Sequence, residues 1–198
     1  PLACSGLTAY GALMKIGAAT LAREPIGILG AGGLGLMCLA LLGQLGGQGA
    51  VVIEPDAAKR AAALAAGALA AYSPDALPGD GLDLAAVIDF VGAPESIVQG
   101  MAMLGKGGRL VAVGMYGGAL ALPIPTLVLR ALTLQGWYVG SRQEMGELMQ
   151  LARRHGLPSL PVQTRSLSHV NEAMASLRAG EVIGRLVLTP EANAGIPS

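Results

Sequence analysis

Apolar residues in this chain come in short runs, several of them closed by glycine, and the runs alternate between two lengths. No charge interrupts the stretch between Glu24 and Glu54. It opens with Ile26–Leu29, passes through Gly30-Ala31-Gly32-Gly33-Leu34-Gly35, continues apolar to about Leu45, breaks at glycines and resumes at Ala50–Ile53. Those lengths predict strand, helix and strand. Upstream, Leu7, Tyr10, Leu13 and Met14 recur at helical spacing and predict a helix over Thr8–Ile16. Downstream the alternation repeats. An Ala-rich helix is expected over Ala57–Ala66, closed by Gly67, then a short strand at Ala68–Ala71 and a Pro/Gly/Asp loop over Ser73–Gly81. A strand at Leu84–Phe90 leads to a helix at Pro94–Leu104, a turn at Gly105–Gly108 and a strand at Arg109–Val113. An extended piece at Leu120–Ile124, a short helix at Pro125–Arg130, a sixth strand at Leu132–Val139 and an amphipathic helix at Glu144–His155 follow. The tail reads as extended at Pro161–Leu167, helical at Ser168–Ala179 with Ser168 as N-cap, a last strand at Gly184–Leu188, and a loose terminus from Pro190. Six strands alternating with helices predict an α/β, doubly wound parallel sheet with helices on both faces.

The glycines at the first turn fit G-x-G-x-x-G. In the Rossmann arrangement Gly30 makes the tight turn, Gly32 leaves the backbone open to a pyrophosphate, and Gly35 lets helix and strand approach. The helix start, with Gly33 and Leu34, offers free N–H groups and the positive dipole end to phosphate. Glu54 ends the second strand about twenty residues on, where a carboxylate accepts from ribose hydroxyls. Gly92 and Gly114 follow the fourth and fifth strands and thin the backbone at the same sheet edge. Two bland readings stand beside this one. The first is a glycine turn that binds nothing, in a chain with 30 glycines. The second is a membrane span, which needs roughly 20 continuous apolar residues and is cut here by Gly and Gln. Glu54 would repel a 2′-phosphate, so NAD(H) is expected over NADP; Lys59 and Arg60, a helical turn further on, oppose that preference.

Composition narrows the class. The chain is 53% hydrophobic but only 3% aromatic, so its core is expected to be aliphatic. Zero net charge gives no footprint for nucleic acid or an anionic membrane surface. Cys4 and Cys38 make no disulfide framework, and Cys38, inside an apolar helix, reads as a core thiol. Without a leader pattern at the start, a cytoplasmic protein is expected. Pro1 has no Met before it, which suggests a piece of a longer chain.

Several collinear stretches resemble the cofactor-binding half of the zinc-dependent medium-chain alcohol dehydrogenases: PLACSGLTAY at the start, GAGGLG with Glu54 and Lys59, AVIDFVG at 86–92, GGRLVAVG at 107–114, and the closing AGEVIGRLVL. The resemblance implies hydride transfer between an alcohol or carbonyl compound and a nicotinamide dinucleotide, with zinc as Lewis acid in the intact enzyme. It implies Cys4 as one catalytic-zinc ligand, and Thr8, Leu34 and Met115 near the nicotinamide. It further implies Glu54 on the ribose, Lys59 on the adenosine side, Phe90, Gly92 and Gly114 at the cleft, and Arg185 approaching the pyrophosphate. Residues 1–24 would enter from a catalytic domain, 25–157 bind the dinucleotide, 158–190 return to that domain, and 191–198 trail. The family's other zinc ligands and its proton relay belong to a domain absent from this sequence, and His155 and His169 stand in the wrong places to replace them. A single Cys does not hold catalytic zinc, so this chain is expected to bind cofactor without turning over alcohol. A zinc-free quinone or enoyl reductase of the same superfamily, a non-catalytic dinucleotide-binding module and, less compatibly with the spacing, a methyltransferase remain open. In the family the sixth strand pairs with its copy, so a homodimer or tetramer through Leu132–Val139 is expected.

Overall fold

The computed structural model describes residues 2–78 and 81–190. Five strands alternate with helices before the sixth: β1 (Ile26–Leu29), β2 (Ala50–Ile53), β3 (Ala70–Tyr72), β4 (Leu84–Asp89), β5 (Leu104–Ala112) and β6 (Thr133–Gly136) form one parallel sheet in the order β3-β2-β1-β4-β5-β6. The order reverses between β1 and β4, which places the ligand crevice of such a sheet above their carboxyl ends. This is the doubly wound architecture that the alternation predicts.

Residues on the central strands take turns facing two cores, as the period of two requires. Ile26, Ile28, Ala86, Ile88 and Val111 face α1 (Leu7–Ile16) and α3 (Gly33–Gln44). Leu29, Leu84, Val87 and Leu110 face α5 (Pro94–Met103) through Ile97, Met101 and Met103. Cys38 is fully buried on α3 and its thiol is pushed far up by that burial, as expected of a core residue. The short α2 (Ala18–Leu21) and α4 (Ala57–Ala65) complete the first half. α6 (Ile124–Leu129) precedes β6, and α7 (Arg142–His155) packs on α1, where Tyr10 donates to Glu147 Oε2 at 3.0 Å. The tail forms a separate parallel pair, β7 (Val162–Ser166) with β8 (Arg185–Thr189), around α8 (Val170–Arg178).

Several local expectations give way to tertiary structure. Residues Leu2–Gly6, with Cys4, form a π-helical turn ahead of α1. Gly105–Gly108 belongs to β5: the strand pairs with β4 at Leu104, bulges, and rejoins at Arg109. The third strand lies at Ala70–Tyr72, two residues beyond the expected start, because Val51 of β2 pairs with Ala70. No strand forms at residues 120–123. β6 is shorter than Leu132–Val139, since its parallel register with β5 ends at Gly136. Ser168 does not cap α8: Ser166 accepts from the Ser168 N–H, and a 3₁₀ turn over Leu167–His169 precedes the helix. α7 starts earlier than Glu144 because Ser141 and Glu144 form a reciprocal capping box. The tail expected over 191–198 lies outside the described residues. Among the described residues no helix is long and apolar enough to cross a membrane.

Candidate functional site

The first turn after β1 brings the motif glycines to the switch point. Gly30 takes φ +90°, a left-handed conformation open to glycine. Gly32 is the extended N-cap residue of α3, and nothing lies within 4 Å of a methyl built on it. The first turn of α3 carries no acid and no side-chain cap, which leaves its N–H groups and dipole available to an anion on the Gly32 side. Gly35 packs on the Gly30 carbonyl so closely that no side chain fits between. Leu34 is half-buried beside them.

Two side chains converge on this turn from distant elements. Glu54, buried at the end of β2, accepts from the Ala31 N–H at 2.8 Å and from the Asp56 N–H at 3.0 Å. Each carboxylate oxygen keeps a second lone pair for another donor. Arg185, the first residue of β8, lies over Gly33: a methyl there would come 2.6 Å from its Nε. That Nε is buried without a partner. Burial lowers the proton affinity of the guanidinium, and the nearby Cys4 partly opposes this. A cationic donor without a partner, beside an uncapped helix start, attracts an anion.

A slot of about 330 Å³ opens beside Glu54 at the ends of β1, β2 and β4, walled by Leu29, Ile53, Pro55, Val91, Ala93 and Ser96. Pro55 and Val91 give it apolar flanks that suit a planar heterocycle, and Asp75, Glu95 and Gln99 also line it. Pro55 and Val91 escaped the sequence analysis, although one follows Glu54 and the other precedes Gly92. The opposite wall of the cleft is the loop after β5. Gly92, at φ +75°, meets the Gly114 backbone directly, and a methyl on Gly92 would lie 2.6 Å from the Met115 nitrogen. Met115 itself is 78% exposed, and Phe90 packs against the core below.

Of the other expected residues, Lys59 brings its Nζ close to the end of α8: a methyl on Gly180 would lie 3.7 Å from it. Arg60 instead holds the turn after β2, donating from Nη1 to the carbonyls of Glu54 (2.8 Å) and Pro55 (2.6 Å). Thr8 is buried and its hydroxyl donates to the Cys4 carbonyl at 2.8 Å. Cys4 is exposed and shares a cavity of about 340 Å³ with Ser5, Arg185 and Val187.

The family profile described as zinc-binding dehydrogenase matches residues 33–154. The chain belongs to the zinc-binding dehydrogenase family. It is similar to a curated NAD-dependent alcohol dehydrogenase of Sulfolobus acidocaldarius, with 33% identity over 95% of this chain and 56% of the relative. An alcohol dehydrogenase of Geobacillus stearothermophilus is 31% identical over 95% of this chain and 56% of its own length. Among solved structures, the alcohol dehydrogenase of the archaeon Aeropyrum pernix superposes with a TM-score of 0.86 at 30% identity, covering 96% of this chain and 57% of that one. The chain thus spans about half the length of the curated relatives it matches. Among the described residues no three His, Cys, Asp or Glu side chains gather to hold a metal. Cys4 offers one thiol next to a cation, and His155 and His169 are exposed on other elements. The donor set therefore does not fit the three protein ligands that catalytic zinc needs.

Proposed function

We propose that the chain is the NAD(H)-binding part of an alcohol dehydrogenase or carbonyl reductase. The observation that carries this is the partnerless Nε of Arg185 packed over Gly33, at a helix start with no cap and an open Gly32. Those features fit a pyrophosphate, and the relatives named as NAD-dependent alcohol dehydrogenases support the same ligand. Gly30, Gly32, Gly33, Leu34 and Gly35 would form the phosphate turn. Glu54 would accept from the adenosine ribose with its remaining lone pairs, and Pro55 and Val91 would flank the adenine. Lys59 would lie on the adenosine side, with its Nζ near the end of α8. Phe90, Gly92, Gly114 and Met115 would shape the path of the nicotinamide half, and Thr8 would pack at its inner end. When bound, the dinucleotide supplies a nicotinamide that exchanges hydride with an alcohol or carbonyl carbon.

The chain's own work in this reading is to bind and orient. Residues 25–157 do so, 1–24 and 158–190 connect to a catalytic domain, and the isolated chain does not turn over substrate. Cys4 would be one ligand of a centre completed by other residues. The strand β6 lies at the sheet edge, and Leu134 within it and Tyr138 just after it are 39% and 73% exposed. That edge would pair with a second copy to give a dimer or tetramer. Calorimetric titration of this chain with NADH and NADPH tests the proposal. Saturable binding that favours NADH is expected. Binding that favours NADPH would overturn the assignment of Glu54, and binding of neither would overturn the cofactor reading of this chain.

A further inference from the structure

Asp89, the last residue of β4, is fully buried, and its charge is met by N–H and O–H donors rather than by a cation. Its Oδ1 accepts from the Val91 N–H at 2.8 Å. Its Oδ2 accepts from the Gly92 N–H at 3.1 Å and from the Ser96 hydroxyl at 2.9 Å. The Asp89 carbonyl accepts in turn from the N–H groups of Val113 (2.8 Å) and Gly114 (3.0 Å). The two turns so gripped also clasp each other: Tyr116 and Gly117 donate to the carbonyls of Val91 and Gly92, each at 3.2 Å. Asp89 does not line the slot beside Glu54, whereas Val91 and Ser96 do.

A buried carboxylate without a cation is costly unless donors surround it. Three donors converge here on a group that only accepts, which is the arrangement that calls for an aspartate rather than an asparagine or serine. We propose that Asp89 is a positioning residue that locks the two walls of the cleft, the Val91–Ser96 turn and the Gly114–Gly117 loop, into one unit of fixed width. The proposal rests on the dinucleotide reading only for its effect on binding; the coupling of the walls is a property of the free chain. Burial raises the Asp89 proton affinity, and the bonds from Val91, Ser96 and Gly92 pull against it.

Asp89→Asn tests it. The amide keeps the shape but presents N–H groups where an acceptor is needed, so Gly92 or Val91 loses its partner. Amide hydrogen exchange and calorimetric titration with AMP and NADH are measured on the whole chain, well below the melting temperature of each variant. Exchange at Gly92, Tyr116 and Gly117 is expected to quicken about tenfold, as for loss of one charge-assisted bond, with α3 unchanged. AMP and NADH affinity should fall by a similar factor. Ser96→Ala removes one donor and leaves the carboxylate, so it should produce the same pattern at roughly two- to threefold; it carries the test if Asp89→Asn does not fold. Wild-type exchange at Tyr116 and Gly117 in a folded variant would overturn the proposal, and so would a loosened loop with unchanged AMP affinity. If the wild-type chain binds neither nucleotide while the variant's loop loosens, the wall coupling stands and the cofactor reading falls.

Discussion

Moving one methyl group along the first turn of α3 separates the three tasks of its glycines. Gly32→Ala places a methyl where nothing lies within 4 Å, at φ −74°, which alanine adopts without strain. The lost flexibility of the unfolded chain stabilises by about 0.4–1 kcal/mol. Alanine's poorer N-cap propensity offsets this by a similar amount. The melting temperature should therefore stay within a few degrees of wild type. Cofactor affinity should not, because the open space is where the pyrophosphate would pass. A loss of at least about tenfold is expected, equivalent to ~1.4 kcal/mol. Gly35→Ala does the reverse. Its methyl would fall 3.0 Å from the Gly30 carbonyl carbon and nearer still to the oxygen, so α3 must back away from β1. Overpacking of this kind costs about 1–3 kcal/mol, or about 2–12 °C in a domain of this size. Gly33→Ala falls between them: its methyl meets Arg185 Nε at 2.6 Å and the Gly184 carbonyl at 2.7 Å, so it evicts the arginine without touching the sheet. Thermal melting by circular dichroism and NADH titration of the three variants give the double comparison. Wild-type NADH affinity in Gly32→Ala would refute the argument, because the space kept open there would then serve no ligand.

Arg185→Ala should weaken NADH and ADP alike by about 10- to 150-fold, the value of a bond to a charged group, with Arg185→Lys intermediate; equal affinity for ADP in all three would remove Arg185 from the phosphate site. Ser141→Ala breaks the capping box of α7 and should cost about 1 kcal/mol, read as about 2–4 °C in a thermal melt. Burial pushes the Glu144 carboxyl up, but the bonds with Ser141 and the Lys15 ammonium 3.4 Å away outweigh it, and the net shift is downward. A carboxyl lowered in the folded state stabilises above its unfolded value and ceases to as pH falls through the folded one. Acid melts should therefore show a loss of stability below the ordinary glutamate range that is smaller in Ser141→Ala; a steeper loss would contradict the sign. Leu134→Arg should turn a dimer or tetramer into a monomer by light scattering at micromolar concentration, and a monomeric wild type would refute the edge pairing.

The sheet was legible because its signals are local and repeat: an apolar run, a glycine, a helix-length segment. Glu54 was legible for the same reason, as a charge directly after an apolar strand. The bulge in β5 was not, because Gly105–Gly108 has turn chemistry and only pairing with β4 draws it into the strand. Ser141 was readable but unread: Ser-Arg-Gln-Glu carries the S-x-x-E capping pattern. Pro55 and Val91 become neighbours through the register of β2, β1 and β4, which fixes two residues 36 positions apart (91 − 55) on one slot. The role of Asp89 was hidden in the same way, since its three donors are close in sequence but the loop it anchors is not. The nearness of Lys59 to Gly180 was not readable either, for it depends on how α8 ends.

The packing of Arg185 over Gly33 also sets an order of events during synthesis. The two residues are 152 positions apart (185 − 33), and ribosomes add about 5–20 residues per second. The phosphate turn is therefore made about 8–30 s before its arginine. During that interval the sheet has all six of its strands by residue 136, yet the anion site lacks its cation. A chain cut short after α7 could complete the main sheet and still hold a dinucleotide poorly. Cofactor capture would then report that translation has passed the start of β8, and a nascent chain would gain ligand stabilisation only from that point on.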